Sequence, residues 1–165
     1  MSGVAHFTPS SEKECLLTVK KLLSFLPSNN VEDPPKGDFP DSPPLENEIL
    51  DDLIPTRQSE PYDVHDLIEG VFDHSDFLEV QPDFAKNAVV GFSRLGGQPV
   101  GIVANQPSVL AGVLDIDSSD KVARMVRFCD SFNLPVITFV DVPGFLPGSQ
   151  QEFGGIIRHG AKILF

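Results

Sequence analysis

At 165 residues the chain is long enough for one domain that buries roughly two-thirds of its unfolded surface, and too short for two. A formal charge of −12 excludes nucleic acid or an anionic membrane surface as partner, because phosphate binding needs clustered Lys and Arg. The apolar fraction of 41% is that of a globular protein, yet fifteen prolines and thirteen glycines mark part of the chain as connecting segment.

Between Ser10 and Leu26 the apolar residues Leu16, Val19, Leu22, Leu23 and Leu26 recur at helical spacing, with Ser10 or Ser11 as N-cap and Pro27 as stop. A lone helix of this length is marginal in water, so its partner surface is expected outside the sequence. From Ser28 to Asp83 sixteen acidic residues face only Lys36 and Arg57, and Pro34-Pro35 and Pro43-Pro44 interrupt the stretch to Pro61. Such a segment buries too little apolar surface to offset its ordering entropy and reads as an acidic, Pro-rich connection with little regular structure. After Tyr62 the pattern becomes that of a folded α/β unit. Asp63 to Gly70 predicts a short helix and Phe77 to Val80 a short strand. Val89–Arg94 and Val100–Ala104 predict two strands around Leu95-Gly96-Gly97-Gln98, where Gly-Gly supplies the positive φ of a tight hairpin. Asp117 or Ser118 then caps a helix with Val122, Met125, Val126, Cys129 and Phe132 on one face and Lys121, Arg124 and Arg127 on the other. Val136–Val140 has the length and β-branching of a buried strand, and Gln150 to Leu164 returns as a helix.

Cys15 and Cys129 lack CxxC spacing, which points to free thiols in a reducing compartment. No secretory leader pattern opens the chain and no apolar run approaches the roughly eighteen residues of a membrane span. A cytoplasmic location follows, or the mitochondrial matrix if the source is eukaryotic and a transit peptide lies upstream. His6, His65, His74 and His159 share no metal-ligand spacing and read as structural.

The loop Asp141-Val142-Pro143-Gly144-Phe145-Leu146-Pro147-Gly148 leaves the last strand where open α/β sheets bind ligands. Two glycines and two prolines make it stiff and let its backbone approach a carbonyl oxygen closely. By composition alone it also reads as a plain strand-to-helix turn. Asp141 is expected to tie down loop N–H groups, and Arg158 and Lys162 to lie on an exposed helix face. Asp141-Val-Pro-Gly144 matches a DxxG pattern, but no GxxxxGK[ST] phosphate cradle precedes it.

Five segments carry a resemblance: Val100-Gly-Ile-Val-Ala-Asn-Gln-Pro107, Asp117-Ser-Ser-Asp-Lys121, Arg127-Phe-Cys-Asp130, Phe139-Val-Asp-Val-Pro-Gly-Phe145 and Gly154-Gly-Ile-Ile-Arg-His-Gly-Ala-Lys162. In this order they closely resemble the carboxyltransferase β subunits of propionyl-CoA carboxylase and its relatives, including methylmalonyl-CoA carboxyltransferase. The match runs from Pro61 to Phe165, and Ser2-Gly-Val-Ala-His-Phe7 is similar to the close of that family's N-terminal lobe. The resemblance implies an incomplete crotonase-like ββαβ lobe. Residues 1–27 would end the N-terminal lobe, 28–60 would be the linker, and 61–165 the first half of the C-terminal lobe.

The family's subunits form hexamers, with sites between lobes of different subunits. Biotin, carried on a partner biotin carboxyl-carrier protein and charged by a biotin carboxylase, exchanges its carboxyl group with an acyl-CoA; no metal is involved in this subunit. Carboxybiotin releases CO2, the biotin takes the thioester's α-proton, and the enolate attacks the CO2. No side-chain base is needed, only orientation and two sets of backbone N–H donors. Neither the family's Ser-Gly-Gly-Ala-Arg donor loop nor its Gly-Gly-Ala-Tyr turn occurs in this sequence, so the chain is expected to be inactive alone. What the resemblance leaves is a wall of the substrate site, Val142, Pro143, Gly144, Phe145, Leu146, Pro147 and Gly148, with no catalytic side chain. Two other readings stand beside it: the α subunit of a biotin-dependent acyl-CoA decarboxylase, and a non-catalytic remnant that only associates with other subunits.

Overall fold

The structure is a computed structural model and describes residues 2–38, 48–57 and 60–164. Its centre is the predicted hairpin. Strand β2 (Ala88–Leu95) and strand β3 (Gln98–Asn105) pair antiparallel from Leu95↔Gln98 to Ala88↔Asn105. Gly96 and Gly97 both hold positive φ, 61° and 75°, the primed turn that follows the natural twist of two strands. Their N–H groups donate to the two carboxylate oxygens of buried Asp73 at 3.0 and 2.7 Å, so the turn is pinned as well as permitted. Strand β1 (Leu78–Val80) adds antiparallel to β2, and β4 (Val136–Phe139) adds parallel to β3, giving the order β1-β2-β3-β4. Parallel pairing of β3 and β4 requires a crossover, and helix α4 (Ile116–Ser131) supplies it.

Alternation sorts the strand residues onto two faces. Ala88, Val90, Phe92 and Val103 meet Val122, Met125 and Cys129 of α4 on one side. Val89, Val100, Ile102 and Ala104 meet Val64, Ile68 and Phe72 around helix α3 (Val64–Val71) on the other. Gly101 lies under α4 because a Cβ there would collide with Cys129 Sγ.

Four expectations are corrected here. The helix cap is Asp115, whose carboxylate accepts from Ser118 N–H at 2.8 Å while Ser118 Oγ accepts from Asp115 N–H at 2.8 Å, a reciprocal box that places the start upstream of Asp117. Lys121 is not on the solvated face: it is 2% exposed, and its ammonium donates to the carbonyls of Gln81 (3.1 Å), Phe84 (2.8 Å), Ala85 (3.4 Å) and Ala88 (2.7 Å). Strand β4 is a half-exposed edge strand, with Val136 36% exposed, because only β3 flanks it among the described residues. The last helix is broken at Gly155, in the left-handed region at φ 82°, into α5 (Ser149–Gly154) and α6 (Ile156–Ala161), followed by a 3-10 turn at Lys162–Leu164.

The N-terminal segment is partnered within the chain, against expectation. Helix α1 (Glu12–Leu23) is capped by Ser11, and just beyond it Phe25 inserts into the core at 2% exposure, stacked on Phe92 with centroids 5.9 Å apart. Phe7, Leu22 and Leu26 pack on the same cluster, whereas Leu16, Leu17, Val19 and Leu23 stay exposed. The acidic connection also has more structure than its composition implies. Pro34 is buried, Gly37 N–H donates to Gly97 O at 2.8 Å, Asn133 Nδ2 donates to the carbonyls of Asn30 and Glu32, and Glu48–Leu53 forms a short helix, α2. Within the expected linker, residues 39–47 and 58–59 lie outside the described residues.

Candidate functional site

Strands β3 and β4 run in the same direction, and their carboxyl ends open side by side at Asn105 and Val140. There the chain turns into residues 141–148, where the general rule for α/β sheets places a ligand. Pro143, Gly144, Phe145, Pro147 and Gly148 are all exposed, and Val142 and Leu146 are half-buried. Gly144 and Gly148 hold φ of 141° and 133°, a backbone region essentially closed to other residues. A Cβ built on either would meet nothing within 4 Å, so these glycines serve backbone conformation and leave open space above the peptide plane.

The loop is held from beneath. Leu114 N–H donates to Gly144 O at 3.1 Å and Leu146 N–H donates to Leu114 O at 2.8 Å, an isolated parallel bridge between Leu114 and Phe145. That pairing faces Gly144 O and Leu146 N–H inward. Among the described residues, no backbone acceptor takes the N–H of Gly144 or Phe145. The Phe145 ring lies over Gly160 of α6, where a Cβ would come within 2.5 Å of its Cζ. Gln151 Oε1 accepts from Ile116 N–H at 3.1 Å and ties the start of α5 to the start of α4. A stiff, open strip of backbone, with the Phe145 N–H turned away from Leu114 across its trans peptide bond, can receive a flat polar group such as a thioester or a cyclic urea, and can donate to its oxygen.

The side chains nearby are positioning groups. Asp141 does not tie down loop N–H groups; its carboxylate accepts from Tyr62 Oη at 3.0 Å, and its own N–H donates to Asn105 Oδ1 at 3.3 Å. Burial, together with the Asp141 carboxylate, pushes the Tyr62 phenol up to about 12, so it remains a donor at neutral pH. Buried Gln106 accepts from Val64 N–H at 3.2 Å and donates to Asp63 at 2.7 Å. Asn87 and Asn105, both buried, hold the carbonyls of Val113 and Gly112 at 2.8 and 3.0 Å. These amides escaped the sequence reading, although Asn105-Gln106 stands inside a motif that it had singled out.

The remaining candidates lie apart from the loop. His65 sits between Asp63 (2.6 Å) and Glu79 (3.0 Å), and its hydrogen bond to the Glu79 carboxylate raises its pKa to about 9, with burial opposing. His159 and Lys162 both pair with Asp120 at 2.8 Å, so Lys162 is engaged within the fold, while Arg158 is exposed as expected. Among the described residues no group of three or more His, Cys, Asp or Glu could hold a metal ion, and no helix is long and apolar enough to cross a membrane. An apolar cavity between Phe7, Leu22, Phe92, Met125 and Phe128 shares no residue with the loop.

A four-stranded β sheet with a β-α-β crossover and an open loop at the strand ends defines an α/β lobe. The carboxyl transferase domain family matches residues 1–165, and the chain belongs to that family. It is 57% identical over 164 residues to the carboxyltransferase subunit of propionyl-CoA carboxylase from Haloferax mediterranei, covering 99% of this chain and 32% of that protein. It is 54% identical over 165 residues to the α subunit of methylmalonyl-CoA decarboxylase from Veillonella parvula, covering 100% of this chain and 32% of that protein. The structure superposes on a transcarboxylase 12S hexamer, solved with methylmalonyl-CoA and methylmalonic acid bound, with a TM-score of 0.96 and 51% identity, covering 99% of this chain and 32% of the other. The fold is therefore the crotonase-like one, as a partial sheet. The chain spans about a third of the length of the relatives it matches.

Proposed function

We propose that this chain contributes one wall of the site at which a biotin-dependent carboxyltransferase moves a carboxyl group between carboxybiotin and an acyl-CoA of the propionyl-CoA and methylmalonyl-CoA type. The observation that carries it is the open backbone strip from Val142 to Gly148, at the ends of two parallel strands, in a chain matched throughout by the carboxyl transferase family. Carboxybiotin, when bound, supplies the carboxyl group. The open space above Gly144 and Gly148 leaves room for a flat ureido ring or a thioester, and the N–H groups of Gly144 and Phe145, which no backbone acceptor takes among the described residues, are available to donate to its oxygen. No side chain from Val142 to Gly148 is ionisable, so the part of this strip is orientation and exclusion of water, with the proton moved elsewhere.

On this reading residues 1–27, 28–60 and 61–165 are the end of one lobe, a connection, and the first half of a second lobe. The partners are further copies of the subunit, in a hexamer, and the protein that carries biotin. The chain works in the cytoplasm, or in the mitochondrial matrix of a eukaryote, where the thiols of Cys15 and Cys129 stay free. The match to a decarboxylase α subunit supports a second reading, in which the same wall serves carboxyl transfer out of an acyl-CoA.

The test exchanges this chain for the matching third of the Haloferax mediterranei subunit, assembles it with its biotin-bearing partner, and assays propionyl-CoA carboxylation and methylmalonyl-CoA decarboxylation together. Carboxylation supports the first reading, and decarboxylation alone the second. Transfer by the 165-residue chain with no other subunit material would overturn the view that it supplies one wall.

A further inference from the structure

We infer that Asn105 is a positioning residue for carboxyl transfer: its one amide group locks the open Val142–Gly148 loop in register with the strap beneath it, residues 112–114. This rests on the reading of that loop as a site wall.

Asn105 ends β3 and is 9% exposed. Its Oδ1 accepts from the N–H of Asp141, the residue from which the loop departs, at 3.3 Å. Its Nδ2 donates to the carbonyl of Gly112 at 3.0 Å. Two residues further on, Leu114 makes the two backbone hydrogen bonds that hold Gly144 and Leu146. One side chain thus touches the start of the loop directly and its middle through the strap. Gly112 completes the clamp: a Cβ there would stand 2.7 Å from the carbonyl of Asp141 and 3.2 Å from Cβ of Asn105, so strap and loop are in contact at this point.

A primary amide serves both directions at once, with an acceptor and a donor on a single small planar group. Asp would accept from Asp141 N–H, but would set a carboxylate against the Gly112 carbonyl. Leu, of similar size, would leave both backbone groups buried without partners. Glutamine adds a methylene to a buried side chain and shifts its amide away from both partners. The loop itself has few anchors, since most of its residues are exposed. Its geometry must therefore come from below, and donors aimed at a reacting oxygen are sensitive to displacements of about 1 Å.

The experiment uses the Haloferax mediterranei subunit with this chain in place of its matching third, as Asn105→Asp, Gly144→Val and unsubstituted, assembled with the biotin-bearing partner. Asn105→Asp is expected to speed amide exchange at Leu146, the loop residue whose N–H is held by Leu114, at least tenfold while residues 88–104 keep their protection. The kcat for carboxyl transfer is expected to fall about 100-fold, with the KM for acyl-CoA little changed. Asn105→Leu is expected to show the same pattern, which guards against an effect of the introduced charge. Unchanged loop exchange in both variants overturns the proposal. So does unchanged kcat in both while Gly144→Val is inactive, which would leave the wall reading intact. If Gly144→Val is fully active, the wall reading itself fails, and the catalytic role assigned to Asn105 fails with it.

Discussion

The hairpin block of β2, β3 and α4 and the Val142–Gly148 loop both depend on glycine, for opposite reasons. Gly91 and Gly101 in the block have no room for a side chain, because Phe77, Leu78 and Cys129 already occupy the space. Gly144 and Gly148 in the loop have open space above them and a backbone conformation that other residues resist. Most of the block's buried polar groups are paired within it: Lys121 alone serves four carbonyls, and Asp73 fills both N–H groups of the turn, while Arg94 Nη1 and Ser119 Oγ are buried without a partner among the described residues. The loop leaves the N–H groups of Gly144 and Phe145 without a backbone acceptor among the described residues. A packed block beside an open strip can keep a stretch of backbone in place without covering it.

The largest expected effect tests the open side of that contrast. Gly144→Val in an assembled enzyme carrying this chain should lower carboxyl transfer by about 100-fold to 1,000-fold, the typical loss of a preorganised donor. Hexamer content by sedimentation should hold, because no packed atom lies near Gly144. Unchanged turnover would reduce the loop to a turn.

The closed side is tested by Lys121→Met, which leaves several buried carbonyls without their donor and should cost about 3 kcal/mol, at the upper end for a lost buried hydrogen-bonding partner. Burial lowers the Lys121 pKa to about 8, while Glu79 favours its charged form, so at neutral pH the ammonium is present to be lost. An unmoved urea midpoint would show that water replaces the ammonium freely. Gly101→Ala should cost about 1–3 kcal/mol by overpacking against Cys129, measured in the same titration. Equal effects of Ala at 101 and 144 on stability would erase the contrast between the two kinds of glycine.

The smallest expected effect is a pH dependence outside both regions. His65 has its pKa raised from 6.5 to about 9, chiefly by its hydrogen bond to Glu79 and then by Asp63. The folded state binds this proton more tightly than the unfolded chain does. The stabilisation is therefore complete below about pH 6.5 and is lost as pH rises toward 9. Unfolding midpoints should fall across that interval, and His65→Gln should flatten the fall. A slope unchanged by the substitution would assign it to another group.

Much of the fold was legible because its signals were local. The hairpin follows from Gly96-Gly97 between two alternating runs, and α3 from Asp63 before an apolar pattern ending near Gly70. The α4 cap was missed by two residues because Asp115 and Asp117 both qualify by type; only the reciprocal bond with Ser118 distinguishes them. The position of the candidate loop was readable from a β-branched run followed by Pro and Gly. Its anchoring by Leu114 and Asn105 was not, since those contacts join residues about thirty apart across the sheet end.

The sequence by itself determined the order of elements, the family motifs and the place of the loop, because each rests on neighbouring residues or on a few residues of fixed spacing. The tertiary structure alone decided three further things: that Lys121 turns inward, that Phe25 brings the N-terminal helix onto the core, and that β4 stands at an edge. Helical periodicity places Lys121 among cations on an outer face, and only the converging carbonyls of residues 81 to 88 make burial of an ammonium favourable. β-branching specifies an extended strand but carries no information about how many neighbours it has. That number depends on which chain segments meet in space, through hydrogen bonds between residues far apart in sequence.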